Sequence, residues 1–195
     1  MVSETLASEA AQGKKLRLMF QDEARFGRMV RPRRCWARPG CRPMMPNAYQ
    51  RQFTYVYAAV SAVDGQMEWM LSTQMNTERM SEFLAQVSAR YPEDFILMVV
   101  DGASSHRAKA LVVPPNMKLL TLEAYSPELN PQEHIWDEVR EKAFPNRVYE
   151  DMEKVISALK SEMQNLCSQP ERISSITAWP WIRELKLTER IQNQN

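Results

Sequence analysis

The sequence is poor in cysteine and glycine and has no long apolar run. It contains three cysteines and five glycines in 195 residues. Cys35, Cys41 and Cys167 are odd in number and show no CxxC spacing, which argues against a disulfide framework and against a zinc motif. No stretch approaches the roughly 20 apolar residues of a membrane span, and the N-terminus lacks the apolar core of a secretory signal. These absences predict a protein of the reducing cytoplasm without a membrane partner.

Acidic residues are missing from one long segment. Between Ala24 and Val63 there is no Asp, Glu or Lys, although the whole chain has a net charge of only +1. The segment carries eight arginines, namely Arg25, Arg28, Arg31, Arg33, Arg34, Arg38, Arg42 and Arg51. Arginine alone, without lysine, favours planar bidentate contact with phosphate, so we predict that this segment binds nucleic acid. The alternative is a solvated loop.

The overall composition is that of an ordinary globular protein. Hydrophobic residues make up 44% of the chain and charged residues 25%. A chain of this length fits one domain that buries roughly 70% of its unfolded surface. We find no internal repeat, and we predict a polar N-terminal tail over residues 1–15 and a single domain over 16–195.

Two apolar strands are each predicted to end on an aspartate. Leu16, Leu18, Phe20 and Asp22 alternate along one face of the first strand, so that Asp22 is in phase with the apolar residues. The unbroken apolar run 95–100 indicates a strand buried on both faces, and Asp101 follows it directly. Unpaired carboxylates are costly to bury, so these positions indicate function rather than stability.

The remaining pattern predicts an α/β fold. Strands are expected at 53–60, at 66–73 after the Asp64-Gly65 turn, and at 118–122. Helices are expected from Asn76 to Pro92, over 103–110, from Gln132 to Phe144 and over 151–167, with further helical pieces after Pro170. We therefore predict a mixed five-stranded sheet flanked by helices.

Three carboxylates are predicted to converge: Asp22, Asp101 and Glu133, the last in the first turn of a helix. Two like charges 4 Å apart repel by about 4 kcal/mol at an effective dielectric constant near 20, so a cation is expected among them. Oxygen ligands without His or Cys favour Mg²⁺ or Mn²⁺, and such sets hold two ions about 3.5–4 Å apart.

Other side chains compete for places in this site. Glu23 is out of phase with Asp22, and Glu128 falls in the turn before the helix. Asp137 lies one helical turn after Glu133 and serves either as an outer carboxylate or, as we favour, in a surface pair with Arg140.

Three aromatic or imidazole side chains have open roles. His106 and His134 are adjacent to the site in sequence and could hydrogen-bond a phosphate or a ligating carboxylate, or have a structural role. We interpret Trp36 as a packing residue rather than a base-stacking one.

Three segments carry a resemblance to a known family: QDEARFG around Asp22, VVDGASSH around Asp101 and YSPELNPQEHIW around Glu133. Over residues 16–144 the sequence resembles the DDE transposases of the mariner superfamily, in their bacterial insertion-sequence branch. CWARPG is similar to the Trp-containing segment of the same family. The resemblance implies a ribonuclease H-like fold in which Asp22, Asp101 and Glu133 are the catalytic metal ligands.

The resemblance also implies an activity and its partners. It implies metal-dependent cleavage and strand transfer of double-stranded DNA, at the ends of an insertion sequence and at its target, by a homo-oligomer in the bacterial nucleoid. Two alternatives are a ribonuclease H-like nuclease without strand transfer and an inactive remnant that binds DNA.

Two features depart from the family pattern. Only 31 residues separate Asp101 from Glu133, which is a short interval. The sequence before Leu16 is too short for the helix-turn-helix region that reads transposon ends, so we expect that function on a separate protein or an upstream domain.

Overall fold

The computed structural model describes residues 15–28, 34–44, 50–102, 110–122 and 129–184. The strands are β1 (Lys15–Gly27), β2 (Phe53–Val60), β3 (Met67–Ser72), β4 (Asp94–Val100) and β5 (Met117–Thr121). The helices are α1 (Thr77–Arg90), α2 (Gln132–Ala143), α3 (Met152–Cys167), α4 (Pro170–Thr177) and α5 (Pro180–Glu184). Residues 1–14 of the predicted tail and 103–109 of the predicted helix lie outside the described residues.

The five strands form one mixed sheet in the order β3-β2-β1-β4-β5. β1 is antiparallel to β2 and parallel to β4, while β3 and β5 are the edge strands. The prediction of a mixed five-stranded sheet flanked by helices is confirmed. β4 is buried along its whole length, as its unbroken apolar run predicts.

Each face of the sheet has its own core, because successive side chains of a strand point to opposite sides. Leu18 and Phe20 of β1 pack with Trp136 of α2 and with α3 and α4. Met19 faces the other side, where Phe83 and Leu84 of α1 cover the sheet. The even-numbered positions of β1 therefore look toward α2.

The turn between β2 and β3 is the predicted hairpin at Asp64-Gly65. Gly65 has φ +67°, and a Cβ there would lie 1.9 Å from the carbonyl oxygen of Pro170. Glycine is thus required both by the left-handed backbone and by the close approach of α4. This contact fixes the hairpin against the helical layer.

β1 is longer than its sequence predicts. The predicted strand ends at Asp22, whereas β1 continues to Gly27. The reason is a change of partner: residues 15–20 pair with β4, and residues 20–27 pair with β2. Asp22 therefore lies inside a strand, directly beyond the part that pairs with β4, and the prediction that it ends the strand is wrong.

None of the described helices is long and apolar enough to cross a membrane.

Candidate active site

Asp22 and Asp101 occupy matched positions on neighbouring parallel strands. The last ladder pair of β1 with β4 is Phe20 with Val99, and each aspartate lies two residues further along its chain. Phe20 and Val99 belong to the core on the α2 side, and the alternation of side chains carries Asp22 on to the same face. The sheet topology thus brings these two aspartates together at one edge.

Helix α2 brings the third carboxylate to that edge. Glu133 lies in its first turn and is half-buried. Burial, and after it the negative charge of Glu133, raise the pKa of Asp22 to about 7. Asp22 is only 9% exposed, so its charge is poorly solvated. Asp22 and Glu133 therefore interact electrostatically across the interface between β1 and α2.

The same helix holds Asp22 by a hydrogen bond. The indole nitrogen of Trp136 donates to Asp22 Oδ2 at 2.9 Å, and the Trp136 side chain is 1% exposed. Trp136 also contacts the ring of Phe26 edge-on, at 6.1 Å between centroids. Sequence reasoning recognised a Trp-bearing helix and missed this contact, since helical spacing alone cannot show which strand a helix covers.

Asn130 ties the start of α2 to β1. Its side-chain nitrogen donates to the backbone oxygen of Gln21 at 3.1 Å, and its side-chain oxygen accepts from the backbone nitrogen of Gln132 at 3.1 Å. Asn130 is 3% exposed. A buried amide with both ends bonded fixes the entry of the helix relative to the strand, and with it the position of Glu133.

Two buried glutamines flank this arrangement with unsatisfied side chains. Gln21 and Gln132 are each 0% exposed, and their amide atoms have no hydrogen-bond partner among the described residues. An unsatisfied buried polar group costs about 1–3 kcal/mol. The neighbourhood of Asp22 is thus less stable than an apolar core would be.

The carboxylates supply the donor chemistry for a hard cation. All three offer oxygen, which suits Mg²⁺ and Mn²⁺, and a cation would offset the burial and the like charge that raise the pKa of Asp22. Within the described ranges, however, no three His, Cys, Asp or Glu side chains lie close enough together to hold an ion. The assignment of Asp22, Asp101 and Glu133 as metal ligands stays a prediction.

The rival carboxylates lie elsewhere. Glu23 faces the opposite side of the sheet, where its charge acts on Tyr57: burial first, and then Glu23, raise the pKa of that phenol. Asp137 is 69% exposed, and its Oδ1 lies 3.8 Å from Nη1 of Arg140. These two residues form the predicted surface pair. Glu128 lies outside the described residues.

Of the two histidines and Trp36, the structure describes His134 and Trp36. His134 is exposed and meets Trp179 edge-on at 5.2 Å, while His106 lies outside the described residues. Trp36 is fully exposed, so the prediction that it packs is wrong. Its segment, residues 34–44, is exposed at every position, and no core surface reaches it.

The eight arginines fall into three sets. Arg34, Arg38, Arg42 and Arg51 are exposed, and Arg31 and Arg33 lie outside the described residues. The remaining two are engaged at the far end of β1: Arg25 lies over the ring of Phe53 at 4.9 Å, and Arg28 donates to the backbone oxygen of Tyr149 at 3.1 Å. Binding of nucleic acid by these arginines stays a prediction.

Comparison with known proteins places this geometry in a family. The sequence model of the DDE superfamily endonucleases matches residues 17–156. The uncharacterized protein y4pE/y4sA of Sinorhizobium fredii (strain NBRC 101917 / NGR234) is 29% identical over 130 residues, which cover 66% of this chain and 96% of that protein.

Solved structures of Mos1 resemble the fold. The Mos1 strand transfer complex superposes with a TM-score of 0.59 at 18% identity, covering 89% of this chain and 57% of the Mos1 chain. The Mos1 mariner paired-end complex with Mn gives a TM-score of 0.57 at 19% identity, over 89% of this chain and 58% of that one. The chain thus spans little more than half the length of these structures. The predicted ribonuclease H-like fold is confirmed, and the chain belongs to the DDE superfamily endonucleases.

Proposed function

We propose that this chain is the catalytic domain of a transposase, extending over residues 16–195, that cuts and joins the DNA strands of an insertion sequence. The observation that supports this most directly is the matched placement of Asp22 and Asp101 on parallel neighbours, with Glu133 entering from α2. Packing does not require aspartates at matched positions of neighbouring strands, and the repulsion between carboxylates opposes their approach.

Asp22, Asp101 and Glu133 would hold Mg²⁺ or Mn²⁺, as two ions. When bound, such ions stabilise the attacking and leaving oxygens of a phosphodiester. Two of the solved Mos1 complexes are paired-end complexes with Mn and with Mg, which supports the choice of metal. The all-oxygen donor set of this chain agrees with that choice.

The reaction proceeds in two displacements. In the first, the oxygen of a water molecule bonds to phosphorus at the end of the element, and the 3′-oxygen leaves with a proton. In the second, the oxygen of this 3′-hydroxyl bonds to phosphorus of a target phosphodiester, the P–O bond to the target 3′-oxygen breaks, and that oxygen leaves with the proton. The carboxylates at the ends of β1 and β4 and at the start of α2 would orient both nucleophiles.

The exposed arginines would bind the DNA backbone. Arg34, Arg38, Arg42 and Arg51 offer phosphate contacts that give affinity without reading sequence. A homo-oligomer would hold two DNA ends together, and the Mos1 paired-end complex supports this arrangement. A separate protein or an upstream domain would supply the helix-turn-helix region. His106 and His134 would contact a phosphate or a ligating carboxylate.

The activity test uses the protein with DNA that carries the terminal sequences flanking its gene. In Mn²⁺ or Mg²⁺ we expect nicking at the ends and, with pre-cut ends, joining to a plasmid. Asp101→Asn should abolish both, whereas Asp137→Asn, a matched change on the exposed face of α2, should leave both near wild type. Cleavage without a joined product would show a nuclease instead. DNA binding without metal-dependent cleavage would show an inactive remnant.

The DNA contacts are tested by salt dependence. Replacing Arg34 and Arg38 together with Ala should weaken binding to unrelated duplexes equally and reduce the slope of log affinity against log salt by roughly two, about one per lost contact. Arg90→Ala, which removes an exposed arginine of α1, is the control and should leave the slope unchanged. An unchanged slope in the double variant would make the segment a solvated loop.

A further inference from the structure

Trp136 places a single hydrogen-bond donor against one oxygen of Asp22. The indole N–H is a donor without acceptor capacity, and at 1% exposure it cannot turn to water. Its partner is Asp22 Oδ2 at 2.9 Å. The backbone N–H of Glu23 also donates to this carboxylate, so that Asp22 is held by its own strand and by α2.

The orientation of the indole is fixed by its surroundings. Phe26, four residues after Asp22 on the same strand, meets the Trp136 ring edge-on at an interplanar angle of 66°. Trp136 also lies three residues after Glu133 on α2, and Asn130 anchors the start of that helix to β1 through the backbone oxygen of Gln21. Helix α2 thus contributes Glu133 itself and, one turn later, the hydrogen bond that holds Asp22.

We propose that Trp136 is a positioning residue that fixes the orientation in which the Asp22 carboxylate meets a divalent cation, with Asn130 setting the approach of Glu133. This inference rests on the proposed function, because it assumes that Asp22 is a metal ligand. Outer partners of metal ligands orient them, and their loss typically weakens metal affinity roughly 10–100-fold. A carboxylate that is held in one orientation also has a consequence for ion selectivity.

Selectivity distinguishes positioning from packing. Mg²⁺ demands near-ideal octahedral geometry, whereas Ca²⁺ accepts six to eight ligands and bidentate carboxylates. Trp136→Phe keeps most of the packing volume and removes the hydrogen bond that holds the carboxylate in its orientation. We therefore expect Mg²⁺ affinity to fall roughly 10–100-fold, while Ca²⁺ affinity falls much less. A loss of packing alone would weaken both ions by the same factor.

The experiment is calorimetric titration of the full chain with Mg²⁺ and with Ca²⁺, for the wild type, Trp136→Phe and Trp69→Phe. Trp69 is a half-buried tryptophan of β3 in the same core, so its change to Phe is a matched control that should alter neither affinity. Equal losses for both ions in Trp136→Phe, or no loss at all, would overturn the inference while the proposed function stands. A wild type that binds neither ion would overturn both.

A second readout does not depend on the stability of that variant. In a spectrum of the five ¹⁵N-labelled indoles, Asp22→Ala should move the Trp136 resonance upfield because its acceptor is lost, and Asp137→Asn should not. Titration of the wild type with Mg²⁺ should shift the Trp136 resonance saturably and leave that of exposed Trp36 in place. A Trp136 resonance that responds to neither Asp22→Ala nor Mg²⁺ would refute the positioning role.

Discussion

β1 carries a buried ionisable side chain near each end of its pairing with β4, and the two side chains have opposite kinds of partner. Near the start, Arg17 is 7% exposed and bonds Asp94 and Asp64, each at 2.6 Å. It also lies 4.0 Å from the centroid of the Tyr91 ring. Five positions later, Asp22 is equally buried and is held by a neutral indole, with the like charge of Glu133 nearby. The first end is neutralised by two ion pairs, whereas at the second end the partners among the described residues include a neutral indole and a like charge.

The two ends affect their carboxyl groups in opposite directions. Burial would raise the pKa of Asp64, but the hydrogen bond from Ser61 and the charge of Arg17 outweigh it and hold that pKa below its usual value. At the other end, burial and Glu133 together raise the pKa of Asp22. The charged form of Asp64 is stabilised by an opposite charge within the fold, whereas the charged form of Asp22 is disfavoured by burial and by a like charge. The first end of the strand is structural and the second has the electrostatics of a site.

The largest expected effect comes from breaking the neutralised end. Arg17→Met leaves Asp94 buried without its partner, which should lower the free energy of unfolding by about 3–5 kcal/mol. Urea denaturation measures it. Arg90→Ala, which removes an exposed arginine 3.6 Å from Glu68, is the control and should change stability by less than about 1 kcal/mol. A loss below about 1 kcal/mol in Arg17→Met would contradict the contrast between the two ends.

The next effect comes from removing the charge at the other end. Folding raises the pKa of Asp22 from 3.8 to about 7, so the folded state binds the proton more tightly and the wild type loses stability as pH rises through that window. Asp22→Asn keeps the shape and an acceptor for Trp136. In EDTA it should be more stable than the wild type above pH 7, by up to about 4 kcal/mol, and equal to it near pH 4. Thermal unfolding from pH 4 to 8 measures this. If the stabilities of the two proteins changed with pH in the same way, the charge of Asp22 would not destabilise the folded state.

The smallest effect concerns Gln21, which lies between the two ends. Its amide is buried without a hydrogen-bond partner among the described residues, so Gln21→Met should raise the free energy of unfolding by about 1–2 kcal/mol. Gln164→Met on the exposed face of α3 is the matched control and should stay within about 0.5 kcal/mol. A destabilised Gln21→Met would show that the amide is hydrogen-bonded in the folded protein.

Sequence pattern predicted much of the frame because its signals are local. The alternation of Leu16, Leu18, Phe20 and Asp22 places Asp22 on the correct face, and the apolar run before Asp101 gives the buried strand. Errors arose where a long-range partner decides. β1 continues to Gly27 because β2 accompanies it, and Trp36 is exposed because no core surface reaches its segment.

By itself the sequence determined the elements, the phase of their apolar faces and the three segments that mark the family, since each depends on neighbours along the chain. Only the tertiary structure decided that β1 and β4 are parallel neighbours in matched register, that Trp136 donates to Asp22, and that Arg17 is neutralised by Asp94 and Asp64. The physical reason is distance in sequence: 114 residues separate Trp136 from Asp22, and 77 separate Arg17 from Asp94. Such contacts form only when helices and strands pack against one another, and the local sequence pattern of an element does not show which other element it packs against.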